Sequence, residues 1–488
     1  MPYPKKIIII LLFIFIGGKN LNLYAQTVED RYYSFKKQAN ESFTSFREEC
    51  NHKYIDFLKN AWVWYNGEAP LPIPKEETPI PPKPYDGKGN DNPIDVSPIE
   101  IKTVKNDPQP KPVEPIREVP TPNEKYFTFS FYGQECKVRL PEYANLKLEG
   151  NITTALADGW EQLCTDEMNN AIRDCLETRI RYNLCDWAYL LFLNQLGKQF
   201  CEDSNCATLL TAFLYCQSGY QMRLGIDNNN LILLYGSKHQ IYNKSYYSIG
   251  GTNFYPFTEA SKSIKICDAS FDGETPLSLI IDKEQLLGSD MSSERSISSQ
   301  RYSNIKIGSQ VPENLIKFYN EYPTSAIDGN PMTRWAMYAN TPLSETTKGC
   351  FYSSLNKEIG YLTKLEAAER LLNLVQTGLV YEYDDKVWGH DRAFFSEETL
   401  YYPYADCEDR SILFSRLVRD LLGLDVALIY YPGHLATAVC FNEDVPGDAM
   451  IINGRKFIVC DPTYIGAPVG KQMPDLQYDK AQAIILNR

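Results

Sequence analysis

The 488-residue chain is too long for one ordinary core, and its 43% hydrophobic and 13% aromatic content suits several packed domains. A net charge of -13 offers no excess of Lys and Arg to displace counterions from phosphates, which excludes a dedicated nucleic-acid binder. Thirteen cysteines leave at least one thiol without a partner inside the chain, and no C-x-x-C spacing supports a zinc ribbon or a thioredoxin-type redox site.

Residues 1–25 read as a signal peptide. Lys5 and Lys6 precede an apolar run from Ile7 to Ile16, and the polar stretch after it ends in Leu-Tyr-Ala-Gln, with cleavage expected after Ala25. No later run reaches the roughly 20 apolar residues that span a bilayer. The mature chain is therefore expected to be exported (periplasmic, cell-surface or extracellular) with no integral membrane segment. Such a compartment permits disulfides, and six cysteines (Cys164, Cys175, Cys185, Cys201, Cys206, Cys216) crowd one segment where a bridge or two is expected.

Residues 27–66 read as a helical segment ending in the aromatic knot Ala-Trp-Val-Trp-Tyr. Residues 67–123 hold half of the 30 prolines. Proline fixes its own backbone and lacks a donor, so this stretch is expected to be an extended linker that builds neither sheet nor long helix. A strand is expected at Lys-Tyr-Phe-Thr-Phe-Ser-Phe-Tyr, then helices to about residue 222 and strands to about 282, giving a domain over 124–282. A connecting region, 283–345, carries short elements, including an amphipathic piece around Leu315-Ile316-Lys317-Phe318. The last domain, 346–488, opens with a strong helix from Leu365 to Gln376. Helices followed by antiparallel strands, without regular strand–helix alternation, describe an α+β protein.

The chemistry gathers in this last domain. Asp406 is a good N-cap with Asp409 three residues on, and apolar residues recur at Phe414, Leu417, Val418, Leu421 and Leu422 before Gly423 stops the pattern. Cys407 falls in the first turn, facing inward, where helix-end amides favour its thiolate. Glu408 and Asp409 oppose that by like-charge repulsion, so a nearby imidazole is needed. A strand from Asp425 to Tyr431 is broken by Pro432-Gly433, and a second starts at His434. Alternation puts His434 with Ala436, Ala438 and Cys440 on one face, where the small alanines leave room for a helix end. A third strand, Lys456 to Asp461, stops at Pro462. Paired antiparallel around a turn between Gly447 and Asp448, these strands set His434 opposite Asp461; Asn453-Gly454 offers a rival turn and another register. Thiolate, imidazole and carboxylate form a set that attacks amides: the ring takes the thiol proton and returns one to the leaving amine, while the carboxylate holds the tautomer. The Cys407 amide could serve as an oxyanion donor, with Tyr401 or Trp388 as a second.

The runs Asp-Cys-Glu-Asp-Arg-Ser, Gly-His-Leu-Ala-Thr-Ala-Val and Val-Cys-Asp-Pro-Thr-Tyr resemble the core of the transglutaminase-like superfamily over about residues 395–470. The resemblance implies a papain-like site with Cys407, His434 and Asp461 as catalytic triad, an activity on amide bonds of proteins or peptides (proteolysis, amide hydrolysis or acyl transfer), and no cofactor. Two departures stand out: Ala405 replaces the Gly often found two residues before the Cys, and the long His-to-Asp interval implies an insertion in the hairpin.

The same plan echoes earlier in the chain. Asp-Ser-Asn-Cys206 begins a helix, followed by Gly219 and Arg223, and Leu-Leu-Tyr-Gly-Ser-Lys-His239 parallels Ile-Tyr-Tyr-Pro-Gly-His434. Aligning Ile249-Gly-Gly251 and Phe254 with Ile452-Asn-Gly454 and Phe457 puts Thr258 at the position of Asp461; a rival alignment puts Asp268 there. The reading is a degenerate transglutaminase-like copy with a possible site at Cys206 and His239. A different class remains open: a non-catalytic surface or periplasmic binding protein built on both scaffolds. Zinc held by Cys407, His434 and Asp461 is a weaker third reading, and the sequence carries no signal for oligomeric state.

Overall fold

The computed structural model describes residues 20–74, 78–87, 95–96, 99–101, 116–120 and 125–487; the basic and apolar stretches of the expected signal peptide lie outside these. The protein is α+β, with helices packed on antiparallel sheets. Among the described residues no helix is long and apolar enough to cross a membrane.

Helix Asn20–Asn60 fills the first segment, but the aromatic knot after it is a strand, Trp62–Asn66. Alternating large aromatic and branched residues fit a pleated surface better than a helix end. This strand pairs antiparallel with Ser263–Cys267 at one edge of a six-stranded sheet whose order continues through Met222–Asp227, Asn230–Ser237, Thr252–Pro256 and Tyr247–Ile249. Two residues past the strand, Glu68 bridges to Tyr246, next to the opposite edge, with its N–H donating to the Tyr246 carbonyl at 2.7 Å. One short segment thus pairs with both edges, and the sheet is closed into a barrel.

The second sheet closes in the same way. Its order is Asp95–Val96, Ala449–Ile452, Arg455–Cys460, His434–Cys440, Asp425–Tyr431, Gln482–Ile485, Ile99–Ile101. Laid flat, seven strands would hold the outer two about 29 Å apart. Val96 and Ile99 are three residues apart in sequence and so at most about 11 Å apart. The two edges therefore meet on one stretch of chain. This corrects the expectation that the proline-rich segment builds no sheet. Proline is barred from central strands, not from edges, and the paired residues Asp95, Val96, Ile99, Glu100 and Ile101 all carry N–H donors.

Both barrels share one connectivity. A helix (Ser204–Gln217 or Cys407–Leu417) leads into a strand (Met222–Asp227 or Asp425–Tyr431). A two-residue turn follows, and then the strand on which that helix packs (Asn230–Ser237 or His434–Cys440). A hairpin turning at Gly250-Gly251 or Asn453-Gly454 adds beside it, and a last strand returns to the far side of the first. Each barrel has its own interior: Ile232, Leu234, Phe254 and Ile264 in the first, Ala436, Ala438, Met450 and Val459 in the second. The main core lies outside them, where the helices pack on residues such as Leu435 and Val439.

Between the barrels run the hairpin Arg295–Ser298 with Lys306–Ser309 and the helices Glu313–Asn320 and Thr333–Asn340. The expected helix spans Lys364–Gly378, and before it stands a helix the sequence reading missed, Glu345–Ile359. Its buried stripe is narrow, Thr347, Phe351, Leu355 and Ile359 at four-residue spacing, too thin to stand out among polar neighbours.

The approach to strand Ala449–Ile452 depends on Gly447. Its φ is +126°, and an added Cβ would lie 2.5 Å from the Gly470 Cα. Gly447→Ala is expected to cost about 1–3 kcal/mol, read as a lower urea midpoint with unchanged slope.

Candidate active site

Asp406 stands at the N-cap position, but the expected side-chain cap is not made. Half of the box forms: the Asp406 N–H donates to Asp409 Oδ2 at 3.2 Å, and Cys407 is the first residue of helix Cys407–Leu417. Gly423 ends the helical stretch with φ +65°. One turn into the helix, Ser411 Oγ donates to the Leu435 carbonyl at 2.9 Å, tying the helix to the strand of His434 at its first residues.

His434 and Asp461 meet. The ring Nε2 donates to Asp461 Oδ2 at 2.9 Å, with both side chains at most 1% exposed. The other carboxylate oxygen accepts from the Thr463 and Tyr464 N–H groups at 2.8 and 3.3 Å, so the strand end that Pro462 enforces also fixes the carboxylate. A carboxylate only accepts, which puts a ring proton on Nε2. Nδ1 is buried and has no hydrogen-bond partner among the described residues.

The register differs from the one expected. Ala438 pairs with Val459, so Asp461 lies diagonal to His434, two residues short of opposite. The rival turn also exists: Asn453-Gly454 (φ +52° and +73°) joins Arg455–Cys460 to the extra strand Ala449–Ile452, which accounts for the long His-to-Asp interval. The alanine face needs correction too. Ala436 and Ala438 face the barrel interior, His434 pairs with Tyr431 on that side, and the helix packs on the Leu435 and Val439 face. The imidazole therefore belongs to the barrel rim, beside the Pro432-Gly433 turn.

The thiol does not bond the ring. Cys407 Sγ donates to Glu408 Oε2 at 3.1 Å. Glu408 is completely buried, and desolvation with the neighbouring charges of Asp391 and Asp384 pushes its carboxyl up to about 7. Ligand atoms of Asp406, Cys407 and Glu408 lie within 4.8 Å of one another, as do those of Asp384, Asp391 and Glu408. These carboxylates are the ones that could ligate a cation, although Arg334 already pairs with Asp391 at 2.6 Å. Cys407, His434 and Asp461 do not form such a group among the described residues.

Three supporting residues escaped the sequence reading. Arg410 is buried on the helix and donates to the carbonyls of Ala405, Gln376 and Leu379 at 3.3, 3.1 and 2.9 Å, bracing the entry to Cys407. Gln376 Nε2 donates to the carbonyls of Asp461, Tyr464 and Ala467 at 3.0, 2.8 and 3.1 Å. Tyr381 has a buried hydroxyl with no partner among the described residues; burial first, then the charges of Cys407, Asp406 and Glu408, raise its pKa. A charged residue three places after the Cys, on a helix otherwise expected to be buried, was the one available signal. Of the donors guessed earlier, Trp388 packs on Phe394 and Tyr402, and Tyr401 is exposed.

A strap from the proline-rich segment crosses this end of the barrel. The Ile80 N–H donates to the Gly433 carbonyl and the Tyr85 N–H to the Ile465 carbonyl, both at 2.9 Å. Between them Lys83–Pro84 runs parallel to Tyr464–Ile465, and Lys83 pairs with Asp475 at 2.8 Å.

In the first barrel the candidate pair does not meet. Cys206 contacts Leu146, Ala144, Asn145 and Cys201, whereas His239 accepts from the Leu279 N–H and pairs with Ile327 outside the six-stranded sheet. By turn and register, Asn230, paired with Asp227, holds the place of His434, paired with Tyr431. Thr258 takes the place of Asp461, as the alignment through Phe254 expects. Asp268, at the rival position, accepts from Tyr65 at 2.8 Å. Comparison of the chain with protein-family models, curated proteins and solved structures gives no match.

Burial gives the site a pH signature. Desolvation pushes Glu397 and Glu398, on the adjoining helix Ser396–Tyr401, up to about 7, as it does Glu408. The folded chain then holds protons that the unfolded chain releases above the ordinary glutamate value of 4.5. Stability present below that value is lost as pH rises through about 7. Urea midpoints should fall between pH 5 and pH 8, and Glu397→Gln should flatten the decline.

Proposed function

We propose that the chain is an exported thiol enzyme of transglutaminase-like type acting on amide bonds of proteins or peptides, with Cys407 as nucleophile, His434 as base and Asp461 as orienting carboxylate. The observation that carries this reading is the fully buried His434–Asp461 pair. Asp461 engages Nε2 and fixes the ring, so Nδ1 is the ring atom through which a proton would pass. The buried Tyr381 hydroxyl, close enough to Cys407 to feel its charge, is the donor suited to an oxyanion that forms during the reaction.

In this reading the thiol swings from Glu408 to Nδ1, and the ring takes its proton. The thiolate adds to the amide carbonyl, and the imidazolium returns the proton to the departing amine. Water or a substrate amine then cleaves the thioester. The Ile80–Tyr85 strap lies on the turns beside His434 and Asp461, so substrate entry requires its displacement.

The second reading, a non-catalytic binding protein on the same scaffold, draws on the thiol's bond to Glu408 and on the burial of the whole site. Iodoacetamide separates the two. For the enzyme, Cys407 labels well below pH 8, His434→Ala and Asp461→Asn slow labelling at least about tenfold, and Cys407→Ser abolishes amide turnover. Tyr381→Phe should leave labelling intact and lower turnover by about 10²–10³. Alkaline-only labelling, indifferent to His434→Ala, would overturn the enzyme reading.

A further inference from the structure

Of the six crowded cysteines, Cys201 and Cys206 have their sulfurs 2.6 Å apart, and both are buried. Cys201 closes helix Asp186–Phe200 as its C-cap, and Cys206 stands in the first turn of helix Ser204–Gln217. The Asp203 side chain accepts from the Asn205 and Cys206 N–H groups, both at 2.9 Å, so the start of that helix is held in place. The Leu146 N–H donates to Cys206 Sγ at 3.1 Å, a contact that favours a thiolate there. Accordingly Cys206 is held below the ordinary thiol value by the proton of Cys201 and by the Leu146 amide, while Cys201 is raised by the same shared proton and by burial.

We propose that Cys201 and Cys206 form a disulfide that staples the two helices together. The position echoing Cys407 is then a covalent crosslink rather than a nucleophile. Closing the observed gap to a disulfide's ~2.05 Å takes about half an ångström. The chemistry is thiol–disulfide exchange with a disulfide donor such as oxidised glutathione. The Cys206 thiolate attacks one donor sulfur and expels the other as thiolate. Cys201, losing its proton to solvent, then attacks the Cys206 sulfur of the mixed disulfide and expels the remaining donor half. Two protein thiols are oxidised, and one donor disulfide is reduced to two thiols. Because both sulfurs are buried, exchange takes place during folding, before this helix junction closes.

This inference is independent of catalysis at Cys407. The test refolds the full chain in mixed reduced and oxidised glutathione, then unfolds it in guanidinium chloride at mildly alkaline pH with excess iodoacetamide, with and without prior reduction. Peptide mapping should find Cys201 and Cys206 unlabelled, linked and two hydrogens light until reduced. In Cys206→Ser, Cys201 should be alkylated without reduction. Full alkylation of both residues in the unreduced wild-type chain, or linkage of either to another cysteine, would overturn the proposal. The mapping reads unfolded chains, so it does not depend on a variant reaching its native structure. The Cys201→Ser, Cys206→Ser double variant should also melt several degrees lower than wild type.

Discussion

Unpaired strand edges are the constraint on which the rest of the structure depends. A sheet edge exposes a row of N–H and C=O groups that invites pairing with another chain, and here both sheets meet their edges with chain that precedes them. Trp62–Glu68 does this for the first barrel and Asp95–Ile101 for the second. The proline-rich segment is therefore part of the second barrel rather than a spacer in front of it. Its earlier residues are drawn along the Gly433 turn and the Tyr464–Ile465 strand, which puts Ile80–Tyr85 beside the chemistry. Closure and covering of the site are consequences of the same path.

Within the second barrel, charge and geometry pull in different directions. The His434–Asp461 pair is oriented and fully buried. The thiol is held by Glu408 amid Asp384, Asp391, Asp406 and Asp409, a setting that disfavours a thiolate. Burial itself relieves part of this conflict, because carboxyls pushed toward neutrality repel a thiolate less. The Arg410 guanidinium, spread over three backbone carbonyls, sets a positive charge one turn from Cys407.

The two barrels show what a shared backbone does and does not carry. Strand order, the two-residue turn after the first strand and the glycine turn of the added hairpin recur in both. Side chains at equivalent places diverge, with Asn230 for His434 and Thr258 for Asp461. The first barrel therefore retains the architecture without a histidine–carboxylate pair at that place.

Local signals in the sequence determined much of the second barrel. The helix start at Asp406, the apolar spacing up to Gly423, the Pro432-Gly433 break and the stop at Pro462 act within a few residues, and the structure follows them: strands Asp425–Tyr431 and His434–Cys440 have the boundaries expected. That His434 and Asp461 lie on neighbouring strands was legible too, but not their register, which turned out diagonal rather than opposite. Tertiary structure decided which sheet face meets the helix, that Cys407 bonds Glu408, that prolines flank barrel-closing strands, and that Asn230 rather than His239 corresponds to His434. Each of these depends on strand order and on packing between residues far apart in sequence. Alternation marks two faces of a strand but does not say which one a helix will cover.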